Sequence, residues 1–184
     1  MRDSQGPTRA VTCTCGQVAL AATGRPIFTA ACHCRSCRTA GERLETLPGA
    51  PPIVATDGGT ELVLWRKDRV RCLRGAELLR EFRLKPESKT RRVVAVCCNS
   101  AMFLDFTAGH WLSLYRQRFA PSDRLPVALR VMTKDRREGV EFTDSLPGYA
   151  AQTGRFMWPL FLAWAAMGFR TPQVDFVKGG ALDA

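Results

Sequence analysis

Over many short stretches of this chain, apolar and polar residues alternate with a period near two, the pattern of strands with one face in solvent. Leu62-Val63-Leu64-Trp65, Val70-Arg71-Cys72-Leu73, Leu78–Leu84, Arg91–Cys97 and Met102–Phe106 are punctuated by Gly58-Gly59, Arg74-Gly75 and Lys85-Pro86. Before them, Val18-Ala19-Leu20 and Phe28-Thr29-Ala30-Ala31 flank the turn Thr23-Gly24-Arg25-Pro26, and Ala128–Thr133 supplies a later strand. A spacing of roughly ten residues between strands predicts a mainly β protein, a rolled sheet or sandwich of short antiparallel strands.

The alternation fails in two places. Leu44–Pro52 is rich in Pro and Gly and reads as a loop beside the preceding cysteines, placed to wall a site. Phe156–Met167 is an apolar run with Pro159 near its start, where a first helical turn tolerates proline, and it predicts a C-terminal apolar helix. The run is too short to cross a bilayer, which takes about 20 residues. Few Lys or Arg interrupt it, which disfavours a membrane-surface role. It packs on the sheet or offers a homodimer contact.

A chain of 184 residues with 46% hydrophobic side chains supports one core, hence a single domain over 1–184. The formal charge of +10, from 27 basic and 17 acidic residues, favours anionic partners. Arg69-Val70-Arg71 and Phe82-Arg83-Leu84-Lys85 place much of that charge on wet strand faces. The arginines are spread over many strands and no two-histidine finger spacing occurs, so specific nucleic-acid binding is not expected. There is neither a nucleophile elbow nor a phosphate-cradling glycine loop. Met1–Ala10 is polar and has no secretory pattern, which points to the cytoplasm.

In a reducing compartment, closely spaced cysteines read as metal ligands more readily than as a disulfide framework. Cys13-Thr14-Cys15-Gly16, Cys32-His33-Cys34-Arg35-Ser36-Cys37 and the doublet Cys97-Cys98 fit that reading. The expected ion is Zn2+, held by a tetrahedron of thiolates. Cys13 and Cys15 can be completed by Cys98 and Cys97, whereas Cys32, Cys34 and Cys37 supply three donors and leave a position open. Neighbours on a strand point to opposite faces, so Cys97 and Cys98 can share one ion only across a bend or bulge. The same alternation turns His33 away from the sulfurs. His110 has no partner spacing, and Cys72 stands alone in its strand as a buried apolar cysteine.

Cys13-Thr14-Cys15-Gly16, then Cys32-His33-Cys34-Arg35-Ser36-Cys37-Arg38, then a strand ending in cysteine ahead of Asn99-Ser100-Ala101-Met102, resemble the glutathione-dependent formaldehyde-activating enzyme family from Val11 to Phe106. The resemblance implies a zinc-containing β core over 11–106, with 119–184 a C-terminal extension outside it. It also implies carbon–sulfur lyase chemistry that joins formaldehyde to the thiol of glutathione. In the family the first pair and a late Cys-x-x-Cys pair hold a structural zinc, and the Cys-x-Cys-x-x-Cys knuckle holds a second. Here the first member of the late pair falls on Ala95, and Asn99 stands where a glycine usually follows. Two functions compete. One is an enzyme acting on a small thiol such as glutathione at Cys32, Cys34 and Cys37, with Arg35 and Arg38 steering the acidic thiol. The other is a non-catalytic zinc-stabilised β domain that binds another protein through the late apolar segment.

Overall fold

A computed structural model describes residues 6–182. Its ten strands are β1 (Thr8–Thr12), β2 (Ala19–Thr23), β3 (Phe28–Cys32), β4 (Thr60–Arg66), β5 (Val70–Arg74), β6 (Leu79–Phe82), β7 (Thr90–Ala95), β8 (Ser100–Phe106), β9 (Trp111–Tyr115) and β10 (Leu129–Val131); the helices are α1 (Arg35–Glu45) and α2 (Gly154–Ala166). The protein is mainly β with a C-terminal helix.

The strands form a three-stranded antiparallel sheet, β1-β2-β5, and a seven-stranded sheet, β10-β3-β4-β9-β8-β7-β6, in which the β10–β3 pair is parallel. The two strands expected to flank the Thr23–Pro26 turn are not hairpin partners. At Gly24 (φ +84°) the chain leaves β2 in the small sheet and enters β3 in the large one.

Strand alternation then builds a core on each face of the large sheet. In β4, Val63 and Trp65 pack toward the small sheet with Val11, Leu20 and Val70, while Leu62 and Leu64 pack toward α1 and α2 with Ala40, Leu44, Phe156 and Leu160. The buried indole of Trp65 donates to the Thr23 carbonyl at 2.9 Å, which ties the layers together. Between β7 and β8 the register slips, Val93 pairing with Phe103 but Val94 with Ala101, so Met102 is an extra residue. Met102 and Phe103 consequently both join the core beneath the small sheet.

The sequence reading left α1 unassigned. Its buried residues Cys37, Ala40, Gly41 and Leu44 recur at helical spacing, and Cys34 caps its start by accepting from the Cys37 N–H at 3.3 Å. A Cβ on Gly41 would collide with Val54, so glycine is needed for the following loop to cross the helix. Glu45 anchors that loop by accepting from the Ile53 and Val54 N–H groups at 2.6 and 2.7 Å.

Helix α2 begins at Gly154, so Pro159 lies beyond its first turn and removes an N–H that would have met the Arg155 carbonyl. Phe156 and Leu160 are buried by α2, while Met157, Trp158, Phe161 and Leu162 are 47%, 60%, 46% and 50% exposed. No helix among the described residues is long and apolar enough to cross a membrane.

Candidate metal centres and the adjoining cavity

Two groups of sulfurs converge, one on each side of the large sheet. The Sγ atoms of Cys13, Cys15, Cys97 and Cys98 lie within 4.8 Å of one another, as do those of Cys32, Cys34 and Cys37. All eight cysteines are free thiols, and Cys72 joins neither group.

In the four-sulfur group, Cys13 and Cys15 come from the turn after β1. Cys97 and Cys98 come from the tight turn 96–99 between β7 and β8. The β7 strand stops at Ala95, short of both, and Asn99 turns the chain with φ +50°. That turn supplies the bend that lets adjacent cysteines face one point. Asn99 also donates from its side chain to the Pro48 carbonyl at 2.9 Å. Ala95 is fully buried in the core and takes no part.

Sulfur separations of 3.6 Å (Cys13–Cys15), 3.8 Å (Cys13–Cys97), 3.4 Å (Cys15–Cys97) and 4.0 Å (Cys97–Cys98) bracket the spacing of about 3.8 Å that a tetrahedron with Zn–S of about 2.3 Å requires. The donor set fits zinc. Behind it, Ser100 Oγ lies 3.1 Å from Cys98 Sγ and 2.9 Å from Thr14 Oγ1, and the buried Arg118 guanidinium donates to both hydroxyls. Although burial works against it, the Ser100 hydroxyl and the contacts with Cys15 and Cys13 hold the Cys98 thiol down to about 6. Burial and the neighbouring thiols of Cys15 and Cys13 push Cys97 up.

In the three-sulfur group, β3 delivers Cys32 at its end, Cys34 is the cap of α1, and Cys37 lies in the first turn of that helix. Hydrogen bonds from the Cys32 and Cys37 thiols pull Cys34 down to about 2 against the effect of burial, helped by the Cys37 N–H and the charge of Arg92. The contact with Cys34 in turn pushes Cys32 up to about 12. A cation bound by such a donor set would replace its protons. This set also fits zinc and supplies three ligands. Buried His33, between two of the cysteines, faces Asp57 at 3.9 Å and Phe142 instead.

The two groups differ in what lies next to them. Cys32, Cys34 and Cys37 line a cavity of about 300 Å³, walled by Leu62, Leu64, Leu104, Trp111, Val131 and Phe156. The Leu44–Pro52 loop is not in this wall; it runs past the β7–β8 turn instead. Gln152 and Phe156, at the start of α2, close that side, with Phe156 set edge-on against Phe28 at 5.0 Å. Besides the cysteines, polar residues in the lining are few: Ser36, Thr90, Ser113, Gln152 and Arg92.

Arg92 is 1% exposed; its Nη2 donates to the Ser36 carbonyl at 3.0 Å and to Ser36 Oγ at 2.9 Å. Its Nε and Nη1 have no hydrogen-bond partner. The sequence did carry a signal for Arg92. Arg91 and Arg92 are adjacent in a strand, so one of the two must point inward. Thr14, Ser100 and Arg118 carried no such signal, because they meet only through folding.

The class defined by this fold and these sulfurs is a mainly β protein with paired cysteine centres suited to zinc. Residues 8–47, which include Cys13, Cys15, Cys32, Cys34 and Cys37, match the family model for glutathione-dependent formaldehyde-activating enzyme. Over that segment the chain is similar to proteins of that family, and Arg92, Cys97, Cys98 and α2 lie outside it. No curated protein matches the chain. Among solved structures, a crystal structure of a Rhodobacter sphaeroides protein is similar at 15% identity, covering 76% of this chain and 98% of its own, with a TM-score of 0.41.

Proposed function

We propose that the protein is a zinc enzyme of the carbon–sulfur lyase type that forms or breaks the adduct between a small thiol, such as glutathione, and an aldehyde. The reading is carried by one observation: the three-sulfur group opens on a cavity of about 300 Å³, near the lower end of the range for small-molecule sites. Cys32, Cys34 and Cys37 would hold the ion there, and Cys13, Cys15, Cys97 and Cys98 would hold a structural one. Zinc held at the three-sulfur site would supply acidification of a bound thiol.

The net reaction forms one C–S bond, moves the thiol proton to the former carbonyl oxygen, and involves no oxidant. The chain's own residues supply the setting. The apolar wall would keep bulk water from competing with the thiol, and Phe156 and Gln152 in the lining support reading the C-terminal extension and the β core as one domain. Eight free thiols suit the cytoplasm.

The test pairs metal analysis with turnover. Wild-type protein is expected to hold one zinc per sulfur group and to add glutathione or 3-mercaptopropionate to formaldehyde faster than buffer. Cys34→Ser should lose one zinc and all turnover. Wild-type rates equal to buffer with both thiols would remove the enzymatic reading.

A second reading rests on the exposed apolar side of α2, where Trp158 stacks on Phe161 at 5.5 Å. A zinc-stabilised β domain that pairs with another protein, or with its own copy, would use this side. Trp158→Glu should then convert a dimer seen by sedimentation into a monomer. A wild-type monomer that retains no partner ends this reading.

A further inference from the structure

We propose that the cavity beside Cys32, Cys34 and Cys37 is a receptor for a small molecule with one carboxylate on an apolar body, and that Arg92 binds the carboxylate. This goes beyond the assignment of a thiol or thiol adduct as substrate and predicts which of them fits best.

The first argument comes from hydrogen bonding. A guanidinium carries five N–H donors and cannot shed its proton, so burying it without acceptors is costly. Arg92 is 1% exposed, yet only Nη2 is satisfied, by Ser36, and Nε and Nη1 are not. None of the ion pairs among the described residues gives it a carboxylate, whereas buried Lys67 has Asp105 at 2.8 Å and buried Arg130 has Asp144 at 2.6 Å. Arg92 does offset the charge of the cysteine thiolates. Charge balance alone, however, leaves its free N–H groups without lone pairs, and no sulfur accepts from Nε or Nη1.

The second argument is the chemistry of the wall. Ser36, the partner of Arg92, sits in the first turn of α1, so the positive end of that helix adds to the guanidinium. Most of the remaining lining is aliphatic and aromatic, from Leu62, Leu64, Leu104, Trp111, Val131 and Phe156. Arg92 is the one cationic residue of the lining, and no Asp or Glu belongs to it. One cation matches one monoanion. Glutathione, with two carboxylates and an ammonium, would leave its ammonium and its second carboxylate without counter-charges there.

Binding of unreactive probes to the intact metal-loaded protein, read by calorimetry and by fluorescence of the cavity residue Trp111, tests this without turnover. Butanoate, hexanoate and octanoate are compared with the corresponding alcohols and with glutathione. A carboxylate of the series should bind about tenfold or more tightly than its alcohol, as expected for a charge-assisted hydrogen bond, and more tightly than glutathione. Arg92→Gln should lose that advantage while keeping the alcohol's affinity.

Equal affinity of acid and alcohol, or undiminished carboxylate binding in Arg92→Gln, would overturn the proposal; the latter would assign the anion to the metal. Should Arg92→Gln not fold, a crystal of wild-type protein with 4-bromobenzoate, whose aryl bromide does not alkylate thiols, decides. Its carboxylate must lie on Arg92 and its bromine among the apolar residues, and any other pose overturns the assignment. Carboxylate binding without turnover would sink the enzymatic reading alone, and turnover without carboxylate binding would sink this inference alone.

Discussion

At the scale of single residues, the chemistry of this protein is set by cations that do not reach water. Among the described residues Lys67, Arg92, Arg118 and Arg130 are buried, whereas Arg71 and Lys85, expected at wet positions, are exposed. Three of them have compensation within the fold, and Arg92 alone has no carboxylate or hydroxyl beyond Ser36. Lys67 has Asp105, Arg118 has the Thr14 and Ser100 hydroxyls behind the four-sulfur group, and Arg130 holds both oxygens of Asp144 at 2.6 and 2.7 Å. The Arg130 hydrogen bonds, with the Leu146 N–H, hold the Asp144 carboxyl at about 2, below its ordinary 3.8. A depressed carboxyl stabilises the fold above the unfolded value and loses that contribution as pH falls through the folded one. Stability should therefore drop between about pH 4 and about pH 2, and Asp144→Asn should flatten that part of an acid-unfolding curve. An unchanged acid limb in the variant would place the sensitivity elsewhere.

At the scale of elements, α2 covers more than its own buried side chains suggest. Its Phe156 closes the three-sulfur cavity, and its Trp164 stacks on buried His110 with ring centroids 5.9 Å apart and planes 11° from parallel. Burial holds His110 below its ordinary 6.5 despite a backbone interaction with Leu160, and the charges of Lys67 and Arg66 push the same way as burial. A histidine kept neutral by folding favours the unfolded or undocked form once protonation sets in. The docking of α2 should therefore be strongest above about pH 6.5 and weaken as pH falls below it. Near-ultraviolet circular dichroism should lose tryptophan signal on acidification in wild type, and His110→Gln should not show the change over that range. Pro159 adds to the lability of this element, since the helix lacks one of its own hydrogen bonds there.

At the scale of the whole molecule, the two sulfur groups have different mechanical positions. The three-sulfur group lies within one short segment of chain, whereas the four-sulfur group joins Cys15 to Cys97, 82 residues away, and so links the small sheet to the β7–β8 turn of the large one. A cation there closes a long loop and fastens two layers, which constrains the unfolded chain more than a local knuckle does. Removing metal with a chelator should lower the melting temperature by on the order of 10 °C and speed amide exchange in β1 and β2. Cys15→Ser should reproduce that loss and Cys34→Ser should not. Chelation that strips metal while leaving both measurements unchanged would deny the four-sulfur group this fastening role.

Reading the sequence alone recovered the mainly β character, most strands, the C-terminal helix and the cysteines to consider, because alternation, turn residues and close thiol spacing are local properties of the chain. It missed α1, whose short apolar face is interrupted by arginines and glycine, and β1 and β9. It placed β2 and β3 on either side of one turn without assigning them to different sheets, because a turn signal does not say which sheet receives the next strand. Only tertiary structure decided how Cys97 and Cys98 face the same point, since the strand stops at Ala95 and the tight turn after it brings both inward. Folding also decided that Arg92 and Phe156, distant in sequence from the knuckle, meet it across one cavity. Local order follows from covalent geometry and burial of each stretch by itself, whereas a site assembled from several layers exists only where packing brings their inward faces together.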